Sequence, residues 1–86
     1  MEIRYSKSAV KAINNMDKVT KERIRIGILG LTQKPPQGDI KLLHGFHDGR
    51  YRLRVGGYRI IYKFGVDGFV EILYIMNIGP RGDIYK

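Results

Sequence analysis

The sequence of 86 residues contains no cysteine and no tryptophan. Without cysteine the chain can form neither a disulfide nor a thiolate metal site, and this absence favours a reducing compartment. No apolar run reaches the roughly 20 residues that a membrane-spanning helix needs. The first ten residues carry charges throughout and lack the apolar region of a signal peptide. We therefore expect a cytoplasmic protein that does not enter a membrane.

Acidic residues are also scarce, since 8 Asp and Glu stand against 16 Lys and Arg and leave a net charge of +8. The length fits a single domain over residues 1–86. In so small a domain the excess of cations favours a polyanionic partner, nucleic acid first. The alternative is a basic protein that needs its charge only to stay dispersed. No His, Asp and Glu set has the spacing of metal ligands, so we expect no metal and no small-molecule cofactor.

The apolar pattern predicts one strand, two helices and then three strands. The predicted elements are, in order, a strand at 2–5, a helix capped by Ser6, a helix over 17–32, and strands over 50–55, 58–66 and 69–78. Residues 33–49 are expected to form a loop after Pro35-Pro36, and residues 83–86 would add a short last strand. The order β-α-α-β-β-β predicts an α+β fold, in which both helices pack on one face of a small, mainly antiparallel twisted sheet.

Apolar residues recur at helical spacing in both predicted helices. On the first helix one apolar stripe is expected, formed by Ala9, Val10, Ile13 and Met16. Those expected to face the core from the second helix are Val19, Ile24, Ile28 and Leu31. Gly27 and Gly30 each weaken that helix by about 1 kcal/mol relative to alanine. Either they permit close contact with a neighbouring element or they are imperfections of the helix.

Two glycines, Gly56-Gly57, predict a tight hairpin and with it a strand register. Arg54 then lies opposite Arg59, and residues two apart along a strand share a face. The cations that fall on one face are Arg50, Arg52, Arg54, Arg59 and Lys63. The opposite face collects the apolar residues Tyr51, Leu53, Val55, Tyr58, Ile60 and Tyr62. We expect the helices to pack on this second face.

The cationic face is a candidate anion cleft, because the planar fork of arginine clasps phosphate oxygens. The next strand is expected to extend this face with Ile72, Tyr74 and Met76. Tyr74 would then lie among cations, where an aromatic ring suits the bases of single-stranded RNA. The alternative is a solvated outer face on which the arginines are scattered and bind nothing.

Two motifs resemble those of a known toxin superfamily. Residues 51–62, YRLRVGGYRIIY, resemble the central hairpin of RelE-type toxins, and residues 78–85, IGPRGDIY, resemble their C-terminal motif of glycine, arginine and closing tyrosine. The resemblance to the RelE/ParE superfamily covers nearly the whole chain and implies two helices against a curved antiparallel sheet. For the RelE-type branch it implies a metal-independent mRNA interferase. Such a toxin cleaves mRNA in the ribosomal A site when the 2′-hydroxyl attacks the adjacent phosphate.

The resemblance also implies roles for individual residues. It assigns catalysis to Arg52, Arg54, Arg59, Arg81 and Tyr85. It agrees with an RNA-binding role for Arg50, Lys63, Tyr74 and His44. Tyr85 would either transfer a proton, with its pKa lowered by nearby arginines, or stack on a base. The implied partners are a co-encoded antitoxin, mRNA and the ribosome with its 16S rRNA.

Two departures from the family pattern bear on activity. Many relatives have a basic residue or histidine where this chain has Pro80, which can donate no proton. Some relatives have a basic residue at the position of His44. That histidine either substitutes as a cation or general base, or is an exposed bystander of its loop. Both departures predict slower cleavage.

Three other functions remain open at this point. A nuclease could act on free RNA without the ribosome. The ParE branch shares the fold but inhibits DNA gyrase by binding and is no nuclease; it generally lacks a full set of hairpin cations. A plain RNA-binding module would bind polyanions with a steep salt dependence and cleave nothing.

Overall fold

The computed structural model describes residues 1–80, in which two helices cover one face of a five-stranded sheet. Its elements are, in order, β1 (Glu2–Tyr5), α1 (Lys7–Asn14), α2 (Lys18–Gly30), β2 (Asp39–Leu42), β3 (Tyr51–Val55), β4 (Tyr58–Asp67) and β5 (Val70–Pro80). The strand order is β1-β5-β4-β3-β2. The pairs are antiparallel except that β1 runs parallel to β5. The predicted α+β class is confirmed. The predicted last strand at 83–86 lies outside the described residues.

Side-chain caps begin both helices. The Ser6 hydroxyl accepts a hydrogen bond from the Ala9 N–H at 3.0 Å and donates one to the Met76 carbonyl at 2.7 Å. It therefore ties the start of α1 to β5 as well as capping the helix. Asp17 caps α2 by accepting from the Thr20 N–H at 2.8 Å. The predicted starts of both helices follow from these caps.

The core lies between the helices and one face of the sheet. Its buried members are Ala9, Ile24, Ile28, Leu31, Leu53, Ile60, Tyr62, Leu73, Ile75 and Ile78. The face predicted to carry the helices therefore does so. Burial raises the pKa of Tyr62 to about 12, and its ring stacks on Tyr51 with centroids 5.5 Å apart. Both tyrosines thus pack in or against the core, as expected.

The two glycines of α2 lie where the helix meets its neighbours. A methyl group at Gly27 would lie 2.7 Å from Cγ2 of Val55 on β3, closer than two carbons can pack. A methyl group at Gly30 would lie 3.0 Å from the Gln37 carbonyl oxygen. Of the two interpretations of these glycines, close contact with a neighbour is therefore the one that the structure supports.

Three expectations about the helices and their connection are wrong. Val19 is 63% exposed rather than directed at the core, because at about 100° per residue it lies on the side of α2 opposite the buried Ile28. The segment expected to be a loop contains β2, which pairs with β3 so that Asp39 faces Arg54 and Lys41 faces Arg52. Residues 39–42 do alternate polar and apolar side chains, but an alternation of only four residues between loops is too weak a signal to predict a strand. The second helix also ends at Gly30, and Leu31 forms its C-cap.

A bulge in β5 changes one further detail of the sheet. Ile61 pairs with Asn77 and Tyr62 with Ile75, so Met76 has no direct partner on β4. Asn77 rather than Met76 is therefore the residue of β5 opposite the cationic strand β4 at this point. A bulge adds one residue to a strand and is not visible in the period-2 pattern.

Candidate nucleic-acid interface

The face of the sheet away from the helices, called the open face below, carries the predicted cations. The hairpin of β3 and β4 has the predicted register, with Arg54 opposite Arg59 and Arg52 opposite Ile61. Lys63 lies farther along β4, opposite Tyr74 on β5. Alternation then places the side chains of Arg52, Arg54, Arg59, Lys63 and Tyr74 on the open face, as the sequence predicts.

One end of this face is a pocket of about 320 Å³, called the arginine pocket below. It is lined by Lys41, Leu42, Leu43, His44, Arg52, Arg54 and Arg59. Four of the predicted site residues therefore meet here, since His44 is brought over the hairpin by the segment that follows β2. Lys41 is a further cation of this pocket that the sequence pattern does not single out, because residues 33–49 are predicted to be a loop and Lys41 lies on β2.

The three arginines of this pocket differ in how tightly they are held. The side chain of Arg52 is only 9% exposed, and its guanidinium donates to the carbonyl and the carboxylate of Asp39 at 3.4 and 3.3 Å. The Arg54 Nε lies 3.7 Å from the other carboxylate oxygen of Asp39, and its side chain is half exposed. Arg59 is half-buried. Asp39 thus holds two guanidinium groups side by side, an arrangement that the sequence analysis also missed.

Electrostatics favour an anion in the arginine pocket. Four cations (Lys41, Arg52, Arg54 and Arg59) line this pocket, and the carboxylate of Asp39 pairs with two of them, Arg52 and Arg54. Ile61 lies directly opposite Arg52 and is buried on the same face, so Arg52 has an apolar floor beside it. Charges over such a floor are screened less than charges in open water, so a bound phosphate would be held more strongly.

The other end of the open face is electrically balanced. Asp48 accepts hydrogen bonds from Arg50 at 3.0 Å and Lys63 at 3.4 Å, and these cations lower the pKa of its carboxyl group. Arg4 on β1 hydrogen-bonds Glu2 and, at 3.2 Å, Asp67, and these bonds raise the pKa of Arg4. Three cations thus face three carboxylates.

Arg50 and Lys63 therefore lie apart from the arginine pocket. The guanidinium of Arg50 is covered by the Phe46 ring, 4.5 Å from its centroid, as well as by Asp48. Lys63 and Tyr74 line a second cavity of about 670 Å³ together with Arg4 and Asp48. The structure thus divides the predicted residues between two ends of one face. Two further predicted residues, Arg81 and Tyr85, lie outside the described residues.

Residues 1–80 contain neither a cluster of metal ligands nor a helix fit to span a membrane. Within that range no three His, Cys, Asp or Glu side chains are grouped so as to hold a metal ion. Nor does that part of the chain contain a helix long and apolar enough to cross a membrane.

Comparison with known families decides where the chain belongs. Residues 3–85 match the model of the family described as the ParE toxin of type II toxin–antitoxin system, parDE. The chain belongs to this ParE toxin family. Comparison with proteins of curated function gives no match.

Solved structures place this family member within the RelE/ParE fold. The toxin of an archaeal RelE–RelB complex from Pyrococcus horikoshii OT3 is 28% identical, with a TM-score of 0.69 over 95% of this chain and 96% of that one. A RelB–RelE antitoxin–toxin complex from Methanococcus jannaschii gives 28% identity and a TM-score of 0.66 over 95% and 94%. A YoeB/ParE toxin from Agrobacterium tumefaciens gives 17% identity and a TM-score of 0.76 over 94% and 99%, a likeness of fold alone.

Proposed function

We propose that this ParE-family toxin is a metal-independent endoribonuclease that cleaves mRNA in the ribosomal A site. The observation that carries the proposal is the convergence of Arg52, Arg54 and Arg59 on one pocket that also contains Lys41 and His44. Guanidinium groups fixed in this way can bind the scissile phosphate and stabilise the charge that builds on it. The rest of the catalytic set would be Arg81 and Tyr85, as the resemblance implies.

The chemistry suits a site built from cations. In-line attack by the 2′-hydroxyl on the adjacent phosphate raises the negative charge on the phosphate oxygens and leaves a cyclic phosphate and a 5′-hydroxyl. Because RNA supplies its own nucleophile, the site needs no activated water. Arg52 is buried and hydrogen-bonded to Asp39, so its guanidinium is already in place as the charge develops.

Proton transfer would involve His44 or Tyr85. His44 is exposed at the rim of the arginine pocket, and histidine is the side chain that most often acts as a general acid or base. If Tyr85 transfers the proton, Tyr85→Phe abolishes cleavage, whereas an unchanged rate would assign the proton to another group. The same comparison with His44→Gln shows whether the histidine is a base or a bystander.

A cognate antitoxin is the proposed protein partner. Two of the structures at 28% identity are complexes of RelE with RelB, so the proposal extends that association to this chain. An antitoxin that covers the arginine pocket would keep the toxin inactive in the cytoplasm.

The test is cleavage in a translating bacterial extract, with mRNA 5′ ends mapped by primer extension. Arg54→Ala and Arg59→Ala should reduce the new ends by about 100-fold or more each, since single groups that stabilise transition-state charge are worth on the order of 100-fold to 1,000-fold. Arg25→Ala is the matched control, because Arg25 pairs with Glu22 on the helical side of the protein. Cuts within codons that require ribosomes would support the proposal; cuts in free RNA would support a ribosome-independent nuclease.

Inhibition of DNA gyrase is a second candidate, and the match to the ParE family model is the observation that favours it. A supercoiling assay with purified gyrase separates the two. Inhibition that survives Arg54→Ala, in a protein that produces no mRNA cuts, would replace the nuclease proposal with this one.

A further inference from the structure

The balanced end of the open face contains an aromatic ring seated on a glycine. Tyr74 lies diagonally across from Gly65 in the β4–β5 pair, and a methyl group at Gly65 would lie 2.7 Å from Cε2 of Tyr74. Only glycine at position 65 leaves room for the Tyr74 ring to lie against the sheet. The ring is half-buried and lines the cavity of about 670 Å³ described above.

Cations flank this ring on both sides. The Lys63 Nζ lies 6.0 Å from the ring centroid, and Arg4, paired with Tyr74 in the sheet register, lies on the other side. Both cations are already engaged by carboxylates, Lys63 by Asp48 and Arg4 by Glu2 and Asp67. A phosphate brought here would meet three carboxylates as well as the cations. The surroundings of Tyr74 therefore suit a flat, uncharged group rather than an anion.

We infer that Tyr74, whose ring packs over Gly65, is a stacking platform for a nucleobase of single-stranded RNA. The phosphates of that RNA occupy the arginine pocket. Stacking on an aromatic ring accepts any base, because each base has a π-face. Arg4 and Lys63 would then donate hydrogen bonds to base edges or to the ribose. This inference rests on the proposed function, since it assigns a second contact to the same substrate.

The distance between the two ends sets the size of the ligand. Lys63, the partner of Tyr74, lies four residues along β4 from Arg59, which corresponds to about 13 Å of extended strand. A mononucleotide cannot occupy both ends at once. The ligand is therefore an oligonucleotide, with one base on Tyr74 and a phosphate farther along in the arginine pocket.

The experiment measures binding without cleavage. The probe is a short, fluorescently labelled oligoribonucleotide with 2′-O-methyl groups throughout, which has no 2′-hydroxyl to attack, and the readout is fluorescence anisotropy. Tyr74→Ala should weaken binding by about 5-fold to about 100-fold, the range found for stacked bases. Tyr74→Phe keeps the ring and should bind like the wild type. Gly65→Ala should weaken binding because its methyl group displaces the ring, and circular dichroism checks that each variant is folded.

A set of probes with an abasic residue at each position in turn makes the test specific to stacking. At one position the loss of the base should weaken wild-type binding but leave the binding of Tyr74→Ala unchanged. The salt dependence should also be the same for Tyr74→Ala and the wild type, whereas Arg54→Ala should lower the slope, because Arg54, unlike Tyr74, is proposed to meet a phosphate.

Each result has a defined meaning. Equal affinities of Tyr74→Ala and the wild type, additive losses at every abasic position, or a wild-type protein that binds none of the probes would each overturn the platform. The cleavage assay with Arg54→Ala and Arg59→Ala is read separately. If those variants lose cleavage while Tyr74→Ala binds RNA like the wild type, the proposed nuclease function is supported and only base stacking on Tyr74 is rejected.

Discussion

At the scale of single residues, the open face shows that arginines of one strand can have different roles. Arg52 and Arg54 are two positions apart on β3 and share the carboxylate of Asp39. Arg52 is buried and hydrogen-bonded, whereas Arg54 is half exposed. The period-2 pattern places both on the open face, but it contains no information about depth, because depth depends on what β2 and the next segment cover.

Replacing these two arginines should therefore give different results. Arg52→Ala should lower the free energy of unfolding by about 1–3 kcal/mol, since it removes buried packing and a charge-assisted hydrogen bond. Arg54→Ala should leave stability within about 0.5 kcal/mol, as most surface changes do, while reducing cleavage. Urea unfolding of both variants checks this, and equal stability losses would contradict it.

The cap of α2 gives a pH dependence at the same scale. Hydrogen bonds from the Thr20 side chain and backbone lower the pKa of Asp17 in the folded state. A carboxylate of this kind stabilises the fold above its unfolded pKa, and the contribution is lost as the pH falls through the folded pKa. Asparagine also caps helices well and does not titrate there. Asp17→Asn should therefore match the wild type at pH 7 more closely than Asp17→Ala does, and lose less stability on acidification.

The comparison is a set of urea unfolding curves at neutral pH and at acid pH for the wild type and both variants. Parallel losses of stability on acidification in the wild type and in Asp17→Asn would show that this cap does not contribute to the acid sensitivity of the fold.

At the scale of elements, the sequence predicts best where a local signal fixes the geometry. The Gly56-Gly57 turn gives the register of β3 and β4 residue by residue, and caps at Ser6 and Asp17 locate the helix starts. What it does not predict depends on contacts distant in the chain. Strand β2 forms because β3 offers it an edge for pairing. The bulge at Met76 depends on how β5 pairs with β4.

The contact between α2 and β3 makes a prediction about Gly27. In an exposed helix, Gly→Ala would stabilise by about 1 kcal/mol. Here the new methyl group meets Cγ2 of Val55 at 2.7 Å, and overpacking of this kind costs about 1–3 kcal/mol. Gly27→Ala should therefore destabilise the protein or leave it unchanged, and the double variant Gly27→Ala, Val55→Ala should show a favourable coupling in urea unfolding. Simple additivity of the two changes would argue against this contact.

At the scale of the whole molecule, the net charge of the chain differs from the charge that a ligand would meet on the open face. The chain carries 16 Lys and Arg, yet half of the open face is neutralised by its own carboxylates. Composition shows the excess of +8 but not its location, which depends on the sheet bringing Asp48 to Lys63 and Asp67 to Arg4. On the open face, the arginine pocket is the end where the described cations outnumber the carboxylates.

The salt dependence of RNA binding should report that local surplus rather than the full charge. With about three phosphates neutralised, the slope of log K against log salt for single-stranded RNA should be about −2. Lys18→Gln, on the exposed side of α2, changes the net charge as much as Lys41→Gln but lies away from the pocket. We therefore expect Lys41→Gln to make the slope shallower by about 0.7, and Lys18→Gln to leave it unchanged. Equal effects of the two substitutions in anisotropy titrations would mean that RNA binding depends on the overall charge of the molecule. That result would contradict the proposal that the open face is the RNA interface.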